Sequence, residues 1–106
     1  MKFPNDDDGQ VLEMLYKEGL DFSKKHRVDF FVSIPDKKNG EALLNVLSSK
    51  GFNCELEKDD DSNDWTCYCY VSMLLEYEAI INIQNQLQSL SLHYEGYSDG
   101  WGVLAD

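Results

Sequence analysis

A chain of 106 residues can build one hydrophobic core but not two, since a domain near this size buries only about two-thirds of its unfolded surface. Twenty Asp and Glu against nine Lys and Arg give a formal charge of -11, which repels phosphate backbones and anionic lipid, favours basic partners and also serves solubility. With 42% hydrophobic and 12% aromatic residues, the chain has enough apolar side chains to fold despite that charge, which excludes a disordered acidic tail.

The three cysteines, Cys54, Cys67 and Cys69, are an odd number without a disulfide-framework spacing. No apolar run approaches the ~20 residues that span a bilayer, and the acidic stretch from Met1 to Asp8 has no signal-peptide pattern. These observations predict one cytoplasmic domain over residues 1–106 with reduced thiols.

In chain order, Asn5 as N-cap followed by Asp6, Asp7 and Asp8 suits the positive end of a helix dipole. Leu12, Leu15 and Tyr16 then recur at helical spacing and Gly19 supplies the stop. From Val28 to Ile34 the chain alternates, with Val28, Phe30, Val32 and Ile34 on one face and Asp29, Phe31 and Ser33 on the other, which predicts a strand ended by Pro35. Asp36 caps a second helix over Lys37–Lys50 with a Leu43, Val46, Leu47 stripe and a stop at Gly51.

Phe52, Cys54 and Leu56 alternate with Asn53, Glu55 and Glu57; after the polar run from Lys58 to Asp64, Trp65, Cys67, Cys69 and Val71 alternate with Thr66, Tyr68 and Tyr70. The pair predicts a hairpin with an acidic tip. Met73, Tyr77, Ile80, Ile83, Leu87 and Leu90 form the longest helical period, with Ser72 as its only visible cap. An extended segment around His93–Tyr97 leads into Ser98, Asp99, Gly100, Trp101 and Gly102, which read as a turn in which Trp101 packs against the end of the sheet. Right-handed crossovers arrange the last six elements as an α+β, ferredoxin-like split β-α-β sandwich: a four-stranded antiparallel sheet with two helices on one face, preceded by the N-terminal helix.

Cys67 and Cys69 point the same way from one strand and Cys54 faces them across the hairpin, but zinc usually takes four ligands, and neither His26 nor His93 has ligand spacing to them. Small buried thiols are the expectation, with no metal and no cofactor. The run Asp59, Asp60, Asp61, Ser62, Asn63, Asp64 is no EF-hand, because Asp64 stands where that loop needs Gly and Tyr70 where it needs Glu. No Gly-x-Ser-x-Gly and no P-loop is present, and the carboxylates cluster in loops and helix starts, so a non-enzymatic protein is expected.

The sheet face turned away from the second and third helices carries Phe31, Tyr68, Tyr70 and Tyr97. Base stacking on such a face also needs basic residues for phosphate, and the net charge of -11 makes RNA a weak candidate, so direct nucleic-acid binding is not expected. Covering by the N-terminal helix through Leu12, Leu15 and Tyr16 is the expectation; dimerisation through the same face is the alternative.

Four marks together carry a resemblance: Phe3, Pro4, Asn5 and Asp6 to Gly9; Asp29, Phe30 and Phe31; the acidic hairpin before Asp64 and Trp65; and Asp99, Gly100, Trp101 and Gly102. In order and over essentially the whole chain, they resemble the ribonuclease E inhibitor family called regulator of ribonuclease activity B. The resemblance implies a small acidic cytoplasmic protein of ferredoxin-like fold that binds ribonuclease E, whose non-catalytic region is rich in basic segments, and reduces its activity. It makes the partner ribonuclease E or another basic protein, with no membrane, and the chain a monomer or weak homo-oligomer. The residues expected to meet the partner are Asp6, Asp7, Asp8, Asp59, Asp60, Asp61, Asp64, Asp99 and Trp101.

Overall fold

The computed structural model describes residues 2–103. Its elements are α1 (Asp7–Lys17), β1 (His26–Ile34), α2 (Lys37–Ser49), β2 (Asn53–Lys58), β3 (Trp65–Met73), α3 (Tyr77–Ser91), a 3-10 turn at Leu92–Tyr94, and β4 (Tyr97–Val103). The strands form one antiparallel sheet in the order β2-β3-β1-β4, the ferredoxin-like arrangement preceded by an extra helix.

Period-two alternation sorts the sheet into two faces. Val28, Phe30, Val32 and Ile34 are fully buried and stand across from Val71, Cys69, Cys67 and Trp65 of β3. Leu56 and Cys54 of β2 continue that face, as does Trp101 of β4, the register partner of Phe30. The helices cover it with Leu43 and Leu47 of α2, Ile80 and Leu87 of α3, and Leu12 of α1, all at most 1% exposed. Each such side chain contributes roughly 1.5–3 kcal/mol by leaving water.

Both early helices end alike. In α1 the Gly19 and Leu20 amides donate to the Tyr16 and Leu15 carbonyls, and in α2 the Gly51 and Phe52 amides donate to Ser48 and Leu47, with both glycines left-handed at φ 91 and 93. These are Schellman closures, which account for the stops at Gly19 and Gly51. At the other end of α2, Asp36 accepts from the Asn39 amide at 2.8 Å, the expected N-cap.

Five expectations are corrected. Asp6, not Asn5, caps α1, accepting from the Gly9 amide at 2.8 Å, while Asn5 accepts from the Gln10 side chain at 3.5 Å. Met73 ends β3 opposite His26 instead of opening α3, because the alternation of Cys67, Cys69 and Val71 runs on through it. α3 starts at Tyr77 after Glu76, with no side-chain cap at Ser72 or elsewhere. The segment Ser98–Gly102 lies within β4 and is no terminal turn. Pairing with β1 overrides the local turn chemistry, and a bulge places Asp99 and Gly100, the latter at φ 99, opposite the single residue Phe31.

The fifth correction concerns α1, which does not cover the aromatic face. It docks on the helix side, beside α3 and over Trp101, with Leu12 at 0% exposure in the shared core. Its far end is wedged by an aromatic trio, Phe3, Tyr16 and Phe22, with ring centroids 5.7–6.2 Å apart.

Candidate functional site

With α1 on the other side, the second sheet face has no helix over it among the described residues. Register places Arg27, Asp29, Phe31 and Ser33 of β1 across from Ser72, Tyr70, Tyr68 and Thr66 of β3, and Asn53, Glu55 and Glu57 of β2 across from Tyr70, Tyr68 and Thr66. Tyr97, 53% exposed, joins them from β4 opposite Ser33. The predicted aromatic set Phe31, Tyr68, Tyr70 and Tyr97 is thus one surface, threaded with carboxylates.

Two local arrangements order it. The Arg27 guanidinium lies 4.2 Å from the Tyr70 ring centroid while its Nε donates to Asp29 Oδ1 at 3.0 Å, a cation-π stack closed by an ion pair. The Asp29 contact holds the guanidinium more firmly protonated than usual. Beside it the Tyr68 hydroxyl donates to Glu55 and, at 3.1 Å, to Glu57. Glu55 first, then burial and Glu57, push that phenol well above its ordinary range, so it stays a donor.

Next to these pairs is a concavity of about 500 Å³ lined by Asp29, Phe31, Glu57, Lys58, Asp59, Asp60, Thr66 and Tyr68. Two rings, four carboxylates and one ammonium thus line it. The β2–β3 tip is ordered by its own short-range bonds: the Asp59 amide donates to the Asp64 carbonyl at 2.9 Å, Asp61 N–H to Asp59 Oδ1 at 3.1 Å, and Asp64 N–H to Ser62 Oγ at 3.1 Å. The hairpin aspartates and the aromatic face therefore form one continuous acidic surface.

The other acidic run is used differently. Asp8 Oδ1 accepts from the Trp101 indole N–H at 2.7 Å and from Gln84 Nε2 at 3.2 Å, and Asp6 accepts from the Tyr77 hydroxyl. That Tyr77 bond, with the Gly9 amide, holds Asp6 below the usual carboxylate range. Of the nine residues expected at a partner, Asp6, Asp8 and Trp101 thus tie α1 to α3 and β4. Asp7 stays exposed on α1, Asp99 stays exposed at the β4 bulge, and Asp59, Asp60, Asp61 and Asp64 are exposed at the hairpin tip. Gly9 explains the close start of α1: a Cβ there would stand 1.8 Å from the Pro4 carbonyl oxygen.

The sulfurs of Cys54, Cys67 and Cys69 lie within 4.8 Å of one another on the core face, free of disulfides. Cys67 and Cys69 are 0% exposed and Cys54 is half-buried at the edge strand. Hydrogen bonding to Cys67, with burial added, pushes the Cys54 thiol up. Among the described residues this trio is the group that could hold a metal ion, and it offers three ligands where structural zinc takes four. A separate cleft of about 540 Å³, where β2 begins, has Arg27, Lys50 and Tyr70 as its ionisable groups among Phe52, Val71 and Ile83, with no nucleophile–base pair.

Glu55, Glu57 and Arg27 are surface residues of this face that the sequence motifs did not single out. The signal was present in the alternation of β2, where Glu55 and Glu57 oppose the Cys54 and Leu56 phase and so share the face of Tyr68.

No curated protein matches the chain significantly. The family model for regulator of ribonuclease activity B matches residues 5–103, from the residue before the α1 cap to the last residue of β4. The stretches that carried the resemblance are the ones that meet in space: Asp6 to Gly9 and Asp99 to Gly102 join through Asp8 and Trp101, while Asp29 and Phe31 line one concavity with Asp59 and Asp60 of the acidic hairpin. The chain belongs to the regulator of ribonuclease activity B family.

Proposed function

We propose that this protein restrains ribonuclease E by binding it in the cytoplasm as a protein ligand, without catalysing a reaction of its own and without touching RNA. Its family carries regulation of a ribonuclease in its name. The observation that carries the partner reading is the acidic surface: Asp59, Asp60, Asp61 and Asp64 make no ion pair among the described residues and adjoin a face rimmed by further carboxylates. Such a surface favours a basic protein segment and opposes phosphate. Asp7 and Asp99 extend the negative field, whereas Asp6, Asp8 and Trp101 serve the fold and act on binding only through it.

The test is a titration against ribonuclease E from the same organism, with and without its basic segments, at low and high salt. Binding is expected to need the basic segments and to weaken as the Debye length falls from about 10 Å at 0.1 M to about 3 Å at 1 M. Converting the four hairpin aspartates to Asn is expected to slow association while leaving the fold intact, since solvated loop charges contribute little to stability. No complex at low salt would refute the proposal.

A further inference from the structure

The uncovered sheet face already binds one guanidinium, its own. Arg27 stacks on Tyr70 at 4.2 Å and is closed in place by Asp29 at 3.0 Å, so ring and carboxylate together form a seat for a planar cation. Immediately beside it similar components recur, with no guanidinium among the described residues seated on them. Phe31 and Tyr68 line a concavity of about 500 Å³ together with Glu57, Asp59, Asp60 and Asp29, the last shared with Arg27. Lys58 alone among the lining residues is cationic, and it takes part in no ion pair among the described residues. The Tyr68 hydroxyl is turned to Glu55 and Glu57, which fixes the ring across the sheet. Neither α2 nor α3 reaches this face, and α1 lies on the far side of the sheet.

We infer that the Phe31–Tyr68 concavity is a second guanidinium seat, one that receives an arginine side chain from an extended basic segment of a protein partner. The inference deepens the ribonuclease reading by assigning the face and the side-chain chemistry, and it rests on that reading only for the identity of the partner. Charge complementarity selects the occupant: a lining with four carboxylates excludes acidic or phosphorylated segments and gains from a cation. The rings then select arginine over lysine, because a guanidinium stacks flat on a ring while keeping its edge N–H groups free for carboxylates, and an ammonium is a compact, strongly hydrated charge. The Arg27, Tyr70 and Asp29 arrangement, one register position away, shows that a ring and a carboxylate on this face can hold a guanidinium between them.

The experiment uses the full chain and a nonapeptide of alternating Arg and Gly, with the Lys–Gly peptide as its comparison. Amide shift mapping is expected to place the Arg peptide on Phe31, Thr66, Tyr68 and residues 57–60, with the Lys peptide weaker at equal charge. Phe31→Leu and Tyr68→Leu are each expected to weaken the Arg peptide by about 2- to 30-fold, the range that a single cation-π contact spans. Glu57→Gln with Asp60→Asn, which removes surface charge and not packing, gives a second reading if a ring variant fails to fold. The control is Glu13→Gln with Glu41→Gln, which removes the same charge from α1 and α2 and is expected to leave affinity unchanged.

Shifts scattered evenly over the acidic surface, equal affinity for the two peptides, or equal loss in the control would overturn the seat. Ribonuclease E separates the two claims. Undiminished binding of the enzyme by the ring variants and by Glu57→Gln with Asp60→Asn overturns the seat and keeps the proposed function. Capture of the Arg peptide here by a chain that ignores the enzyme does the reverse.

Discussion

Replacing Asp8 by Ala tests whether α1 is held by the seam between the two ends of the chain. The substitution removes the acceptor for the Trp101 indole at 2.7 Å and for Gln84 at 3.2 Å. A hydrogen bond to a charged group contributes about 1.5–3 kcal/mol, and the half-buried indole N–H left behind adds part of a desolvation cost, so a loss of roughly 2–4 kcal/mol is expected. In a domain of about 100 residues each kcal/mol moves Tm by roughly 4–8 °C, so the change is well within reach of urea and thermal unfolding. Trp101→Phe removes the N–H while keeping much of the ring's burial, which makes it the second arm of a double-mutant cycle. If Asp8 acts through Trp101, the coupling is expected at about 1.5–3 kcal/mol; a value under about 0.5 kcal/mol would show two independent sites and refute the seam.

Three further outcomes follow from the same geometry. Gly9→Ala gains up to about 1 kcal/mol of helix propensity, but its Cβ meets backbone at 1.8 Å, so overpacking of roughly 1–3 kcal/mol is expected to win and lower the unfolding midpoint. Asp6 sits below its ordinary value of 3.8 in the folded state, so its contribution is present above that value and lost as pH falls through the folded one. A carboxyl-carbon titration is expected to show a depressed midpoint that Tyr77→Phe moves back up, and an unchanged midpoint in that variant would remove Tyr77 as the cause. A thiol reagent is expected to label half-buried Cys54 first and fully buried Cys67 and Cys69 slowly in the native protein, with all three fast in denaturant; rapid native labelling of Cys67 or Cys69 would contradict their burial.

The sheet and its two covering helices were legible because their signals are local and repeated. Alternation in β1 and β3, the Asp36 cap and the glycine at 51 each mark an element from within it. What escaped depends on contacts far apart in sequence. Asp99, Gly100 and Gly102 have turn chemistry, and only pairing with β1, more than 60 residues earlier, makes them a strand. The side on which α1 docks is likewise set by Asp8 meeting Trp101 and by Asp6 meeting Tyr77, and no periodicity within α1 encodes it.

The candidate site divides in the same way. The hairpin aspartates read correctly as a solvated acidic tip, because a run of Asp, Ser and Asn between two strands has no other place to go. Asp6 and Asp8 look identical to them in composition, yet they are consumed by bonds from Gly9, Tyr77, Gln84 and Trp101. Charge density alone could not separate the two runs; the hydrogen-bond partners do.

The most direct test of the central claim is cleavage of a model RNA by ribonuclease E from the same organism as this protein is added, with the fraction of enzyme bound measured in the same samples. The cleavage rate is expected to fall in proportion to the bound fraction at low salt and to recover as salt dissolves the complex, and the protein without the enzyme is expected neither to bind nor to cleave the RNA. A cleavage rate that stays constant while the enzyme becomes saturated, or an enzyme that never binds, would contradict it.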